Sequence, residues 1–215
     1  MTPFARQVLE DCTDVLVKCG LQRKRRGMAL FDLGPEMTGA VSLQMRGLAT
    51  GQGDLEIEPF AQVFWRPVEE IYCLAAGEKY RFADLPTMTQ LMPFQTVEER
   101  PLYFTPGVAY PGELARLEWH VRVHMKRRVS ELADPEGVET WFRNGVSMGG
   151  GFPERFLALR AWRRRSVALD AEVAWVLDTL KHDDFKQRAE VFYQALRGSQ
   201  KVSAILGAPL SQALK

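Results

Sequence analysis

Apolar and polar positions change rhythm twice along this chain, from a helical repeat to a two-residue alternation and back. Phe4, Val8, Cys12, Val15, Leu16 and Cys19 recur at three- and four-residue steps, the spacing that lines one face of an α-helix. Thr2 offers a hydroxyl to free amides, Pro3 presets the first helical position, and Gly20 supplies a stop. The pattern predicts a helix over residues 3–19. From Gly27 to Arg66 the rhythm becomes two. Met28–Leu33 reads as a first strand. Val41, Leu43 and Met45 alternate with Ser42, Gln44 and Arg46 as a second, and Ile57, Ala61, Val63 and Trp65 mark a third over 55–65. Gly34 to Gly39 and Gly51 to Asp54 are the turns between them, short enough to make the strands antiparallel. Pro59 cannot donate a ladder hydrogen bond, so a bulge or sheet edge is expected there.

Pro67-Val68-Glu69-Glu70 opens a short second helix that Gly77 ends. Five prolines between residues 78 and 112 forbid a long helix, leaving two extended runs, Thr87–Met92 and Leu102–Thr105, as expected edge strands of the same sheet. Beyond Glu113 the helical period returns. Leu114, Leu117, Val121, Met125, Arg128 and Leu132 recur at three- and four-residue steps and predict one long helix over 113–132. Further helices are expected from Asp134-Pro135 through Phe142, from Pro153 to Arg164, over 170–181, and over 184–197 with Asp183 as its cap, followed by a weakly patterned tail from Gly207. The expected fold is α+β: an antiparallel β-meander of four to five strands packed on helices, with a helical C-terminal part. Residues 1–145 would form the sheet domain with its long helix, and 146–215 a helical extension packed with it as one unit.

Composition narrows the setting. An apolar fraction of 46% and a charged fraction of 26% are those of a globular chain. With a net charge of +1, no global field steers the molecule toward nucleic acid or an anionic membrane. No apolar run approaches the roughly 20 residues that span a bilayer, and Met1 to Arg6 carry no signal-peptide pattern. Cys12, Cys19 and Cys73 form neither a metal spacing nor an even disulfide set; Cys12 and Cys19 suit the buried stripe of the first helix. These features suggest a cytoplasmic protein.

Candidate chemistry is sparse. His120 and His124 lie four apart on the long helix and could share a metal, the basis of an alternative reading as a metal-dependent hydrolase. The glutamate that metalloproteases place between two such histidines is absent, and a helical wheel sets both at the rim of the core, where ordinary hydrogen bonding accounts for them. Gly149-Gly150-Gly151 precedes a helix but lacks the lysine and hydroxyl of a nucleotide loop, so a connector is the plainer reading. No serine sits in a nucleophile motif, and the pair Glu56/Glu58 reads as a solvated strand face before an acid/base pair. No cofactor is implied.

Three basic clusters remain: Arg23–Arg26, Lys126-Arg127-Arg128, and Arg160 with Arg163-Arg164-Arg165. They could meet a phosphate backbone, yet no groove-reading motif accompanies them; arginine-rich faces suit protein interfaces or internal ion pairs better. Trp119 falls off the apolar stripe of its helix and is the best single anchor for an interface. Trp119, Lys126, Arg127, Arg163 and Arg164 are the expected interface residues, and the expected partner is another protein. The order helix, strand meander, short helix, Pro86–Thr89 segment, two short strands and helices resembles small bacterial α+β proteins over residues 1–145. Some of that group are similar to immunity proteins. The resemblance implies binding of a toxin and its neutralisation by steric occlusion, with no catalytic residue carried over.

Overall fold

The structure is a computed structural model that describes residues 1–48, 53–79, 88–91, 100–148, 152–164 and 169–207. Its described helices and strands form an α+β fold with an antiparallel sheet and a helical C-terminal part. Two compact units emerge: residues 1–64 with 88–133, and residues 65–87 with 134–215. Among the described residues no helix is long and apolar enough to cross a membrane.

The first unit begins with α1 (Pro3–Lys18), where the Thr2 hydroxyl accepts from the Ala5 amide at 3.1 Å. Its stripe of Val8, Cys12 and Leu16 is fully buried, and Cys19 follows it into the core. Four strands follow: β1 (Gln22–Arg25), β2 (Met28–Asp32), β3 (Met37–Gly47) and β4 (Leu55–Trp65). The sheet runs β1-β2-β3-β4-β5, where β5 is Met88–Leu91, and β6 (Leu102–Phe104) also pairs with β4. The two extended runs do join the sheet.

β1 escaped the sequence pattern because Gln22, Arg23, Lys24 and Arg25 are all polar and exposed, so no alternation marks them. Its place is set by a tight turn. Gly27 adopts φ +75°, a conformation glycine enters without strain, and its amide donates to the buried Thr13 hydroxyl of α1 at 2.8 Å. Pro59 also has a definite role. β4 pairs with β6 over Leu55–Ile57 and with β5 over Phe60–Val63, so the residue without an amide lies where the partner strand changes.

The expected helix over 113–132 is α3 (Pro111–His120) and α4 (Lys126–Leu132) joined through a π-helical turn at Val121–Met125. α4 packs on β3 at Gly39: a Cβ there would lie 2.7 Å from Val129 Cγ1 and 2.6 Å from Phe31 Cζ. The missing side chain lets helix and sheet approach this closely.

In the second unit α2 (Arg66–Ala76) opens on Pro67 and ends at Gly77 with φ +70°. With it group α5 (Pro135–Ser147), α6 (Pro153–Arg164), α7 (Leu169–Thr179), α8 (Asp183–Gly198) and α9 (Gln200–Leu206). α6 touches α2, α5, α7 and α8. Every residue from Phe156 to Ala161 is buried, so the helix is enclosed on all sides and forms the axis of this unit.

Three expectations change here. α5 runs on to Ser147 past Phe142, because Val146 continues its buried stripe of Val138 and Phe142. The N-cap of α8 is His182, and Asp183 and Asp184 occupy the first turn instead, where their charge meets the positive end of the helix dipole. α9 is an extra helix, started by Ser199, whose hydroxyl accepts from Val202 at 3.3 Å.

Candidate functional site

The helix carrying Trp119, His120 and His124 owes its geometry to the π turn. Lys126 donates its amide to the Val121 carbonyl five residues back, closing the wider ring. Leu117, Val121, Met125 and Val129 are fully buried at strict four-residue steps. At about 3.6 residues per turn that span covers roughly 3.3 turns, which would swing Val129 about a third of a turn off the face of Leu117. The π turn absorbs one residue and restores the alignment. The repeat of four, four and four was visible in the sequence and is the signal by which the π turn could have been found.

The same phase aligns the opposite face. Trp119 is 40% exposed and Val123 46%, and the Arg127 side chain is 81% exposed, so the three form one outward stripe at four-residue steps. Trp119 is not loose. Its ring meets the His124 ring edge-on with centroids 4.9 Å apart, and His124 lies 5.7 Å from His120. A contact between residues five apart is poorly placed on an α-helix and well placed across a π turn. Glu118, Arg122 and Lys126 follow the next stripe round. Glu118 bonds Lys18 of α1 at 2.7 Å and Arg122 at 3.1 Å. The Lys18 ammonium, then the Arg122 guanidinium, hold the Glu118 carboxyl below its usual range.

His120 departs from expectation. It is buried at 3% exposure, whereas a wheel drawn for an uninterrupted α-helix set it at the rim; the π turn breaks that phase. Only His124 keeps an intermediate position. Among the described residues no group of three or more His, Cys, Asp or Glu side chains is placed to hold a metal ion. The histidines act here as the inner rungs of an aromatic ladder that ends at Trp119.

Of the described arginines in the basic clusters, Arg23, Arg26, Arg127, Arg128, Arg160 and Arg163 form ion pairs. Arg23 and Arg26 both reach Glu10, at 2.5 and 2.9 Å, and lower its carboxyl pKa, Arg26 the more strongly. Arg127 and Arg128 share Glu131 at 2.8 and 3.2 Å. Arg163 bonds Glu136, and Glu139 at 2.7 Å, so this expected interface residue is committed inside its own unit. Arg164 closes α6, and its side chain lies outside the described residues, as do Arg165 and the Gly149–Gly151 run. Trp119, Lys126 and Arg127 therefore stand together on one helix of the first unit, while Arg163 belongs to the second. Of the acidic pairs, Glu58 is buried where a solvated face was expected, and it lies 3.0 Å from Arg46, whose own side chain is more than half exposed, so the ion pair sits at the edge of the sheet's buried face.

The feature that sequence reasoning undervalued is Arg160. It is 1% exposed, and its guanidinium joins Glu139 of α5 to Glu172 of α7. Arg143 bonds Glu172 at 3.1 Å from the far side and lies over the Trp175 ring at 4.5 Å. Three arginines and three glutamates thus clamp α5, α6 and α7. The clue lay in the sequence: Arg160 sits inside an apolar run, between Leu159 and Ala161, where a charge must be paired.

No protein-family model, curated protein or solved structure matches the chain.

Proposed function

We propose that this chain is a protein-binding protein that acts by covering a partner's surface, with the Trp119, Val123 and Arg127 stripe as its contact face. One observation carries the reading. Trp119 is held edge-on by His124 and still leaves 40% of its surface to solvent. An indole fixed in this way loses little freedom on burial, and a rigid exposed tryptophan is the type of residue on which interface energy concentrates.

The charges around the stripe describe the partner. Arg122, Lys126, Arg127 and Arg128 stand against Glu118 and Glu131, leaving an excess of positive charge beside an apolar centre. The complementary surface is an apolar pocket edged by carboxylates. Occlusion needs no reactive group, and it is the way in which a binder of this kind would silence a toxin.

The test is affinity capture from the native host with the wild-type chain and with the Trp119→Ala/Arg127→Ala variant. A protein partner held by the wild type should bind the double variant about 2 kcal/mol more weakly, roughly 30-fold in Kd. A host that yields no such protein, or a partner bound equally by both forms, would refute the proposal. Both substitutions lie on the surface of a helix whose buried stripe they leave intact, so the fold is retained.

A further inference from the structure

β1 is an outer strand of the sheet in the first unit: among the described residues it pairs with β2 and with no other strand. A strand laddered on one side carries alternate amides and carbonyls that face outward without a partner strand. Gln22, Arg23, Lys24, Arg25 and Arg26 are all exposed, so this edge is open to solvent. It is also held in place before any partner arrives. The Gly27 amide is bonded to the buried Thr13 hydroxyl, and Arg23 and Arg26 both reach Glu10 of α1. The register slips between Arg23 and Arg25, next to that turn, and Gln22 and Arg23 keep regular partners in Leu30 and Ala29. A pre-ordered edge loses little freedom when another strand is added to it.

Charge selects the added strand. Arg23 and Arg26 share Glu10, and Arg23 also reaches Asp14 at 3.4 Å. Arg25, within the strand, makes no ion pair among the described residues, nor does Arg6 of α1, which lines a surface hollow together with Glu10 and Arg26. Arg6, Arg23, Arg25 and Arg26 thus stand against Glu10 and Asp14, and the turn end of the edge keeps a positive surplus. Asp32 is the next acid along the ladder; it lies past the Gln22 end and accepts from the Gly34 amide. A second copy of the chain would set one Arg23–Arg26 run against another, which like-charge repulsion opposes. A nucleic acid would answer the charge and leave the ladder open. An acidic peptide strand satisfies both.

We propose that β1 takes up an extended acidic peptide segment as a further strand, its backbone completing the open ladder and a carboxylate meeting Arg25. Main-chain bonds supply affinity in this mode of recognition, and the side chains supply the choice of partner. The edge lies on other elements than the Trp119 stripe and stands whether or not that face binds a protein.

Amide NMR spectra of the full chain, titrated with acetyl-Glu-Val-Glu-Val-Glu-Val-amide, its Lys-Val counterpart and a thymidine hexanucleotide, test the edge. Saturable shifts from Gln22 to Arg25 are expected with the acidic peptide, and hydrogen exchange of at least one β1 amide should slow at saturation. The basic peptide should give no shifts, and the oligonucleotide should bind more weakly than the acidic peptide. Arg25→Glu, at an exposed position, should weaken the acidic peptide about tenfold, the effect of losing one charge-assisted contact. Absence of saturable shifts with the acidic peptide, shifts without slowed exchange, equal binding of the basic peptide or the oligonucleotide, or unchanged affinity in Arg25→Glu would overturn the proposal. The titrations of the wild-type chain decide it even if that variant does not fold.

Discussion

Replacing Arg160 by methionine removes the charge at the centre of the α5–α6–α7 clamp while keeping much of its buried volume. The size of the effect follows from what remains. Arg160 is 1% exposed, and the Glu139 and Glu172 side chains are 15% and 13% exposed, so the bridge is largely cut off from water. Removing one member of a buried ionic group usually costs about 3–5 kcal/mol, because the partner charge is left uncompensated. Here each carboxylate retains a second guanidinium, Arg163 at 2.7 Å from Glu139 and Arg143 at 3.1 Å from Glu172. We therefore expect a loss at the low end, about 3 kcal/mol. Arg160→Lys should recover only part of it, since an ammonium cannot reproduce a planar fork spanning two acids. Urea unfolding followed by tryptophan fluorescence is the assay. Trp141, Trp162 and Trp175 lie on the three clamped helices and report on this unit. The expected signature is a lower midpoint at unchanged slope. In a double-mutant cycle, Arg160→Met and Glu172→Gln should be coupled by more than about 1 kcal/mol. A loss below about 1 kcal/mol for Arg160→Met, the scale of an exposed ion pair, would refute the argument.

Two further predictions concern packing and protons. Gly39→Ala should destabilise the first unit by about 1–3 kcal/mol, the usual range for overpacking, since the new methyl would meet Val129 and Phe31 inside van der Waals contact; an unchanged urea midpoint would sink this. The Cys12 thiol is pushed up to about 12, chiefly by burial and then by Asp11 and Glu113, and Cys73 to about 11 by burial and then by Glu69 and Glu78. Both stay protonated in the folded chain at pH 8, so iodoacetamide should label them only on unfolding, as read by mass spectrometry of the cysteine peptides. The sign follows. The folded pKa exceeds the ordinary thiol value of 9.0, so the contribution is complete below that value and declines as pH rises through it toward the folded pKa. Native-state labelling of Cys12 at the rate of a free thiol would contradict its burial.

The sequence by itself determined what depends on neighbours along the chain. Phe4 to Cys19 has a helical period and a Thr-Pro start, Met28 to Trp65 has a period of two, and Pro153 opens a helix. Each of these became the expected element, because burying one face of a helix or strand is the main reason it forms. The Trp119 stripe was legible in part: its departure from the apolar face could be counted, and its exposure followed.

Only the tertiary structure decided the rest. β1 has no apolar pattern to declare it and exists because β2 offers a ladder and Thr13 holds its turn. α2 belongs with the helices after residue 134, although it directly follows a strand of the first unit, since its buried face of Val68 and Ile71 packs against α6, α8 and α9. Arg160 and Arg163 were read together as one basic cluster, and Arg143 stood outside it; which of the three is buried, shared or stacked depends on carboxylates 12 to 29 residues away. Such long-range pairs leave no local period. Charge can be counted from the chain, but the partners that neutralise it are chosen by folding.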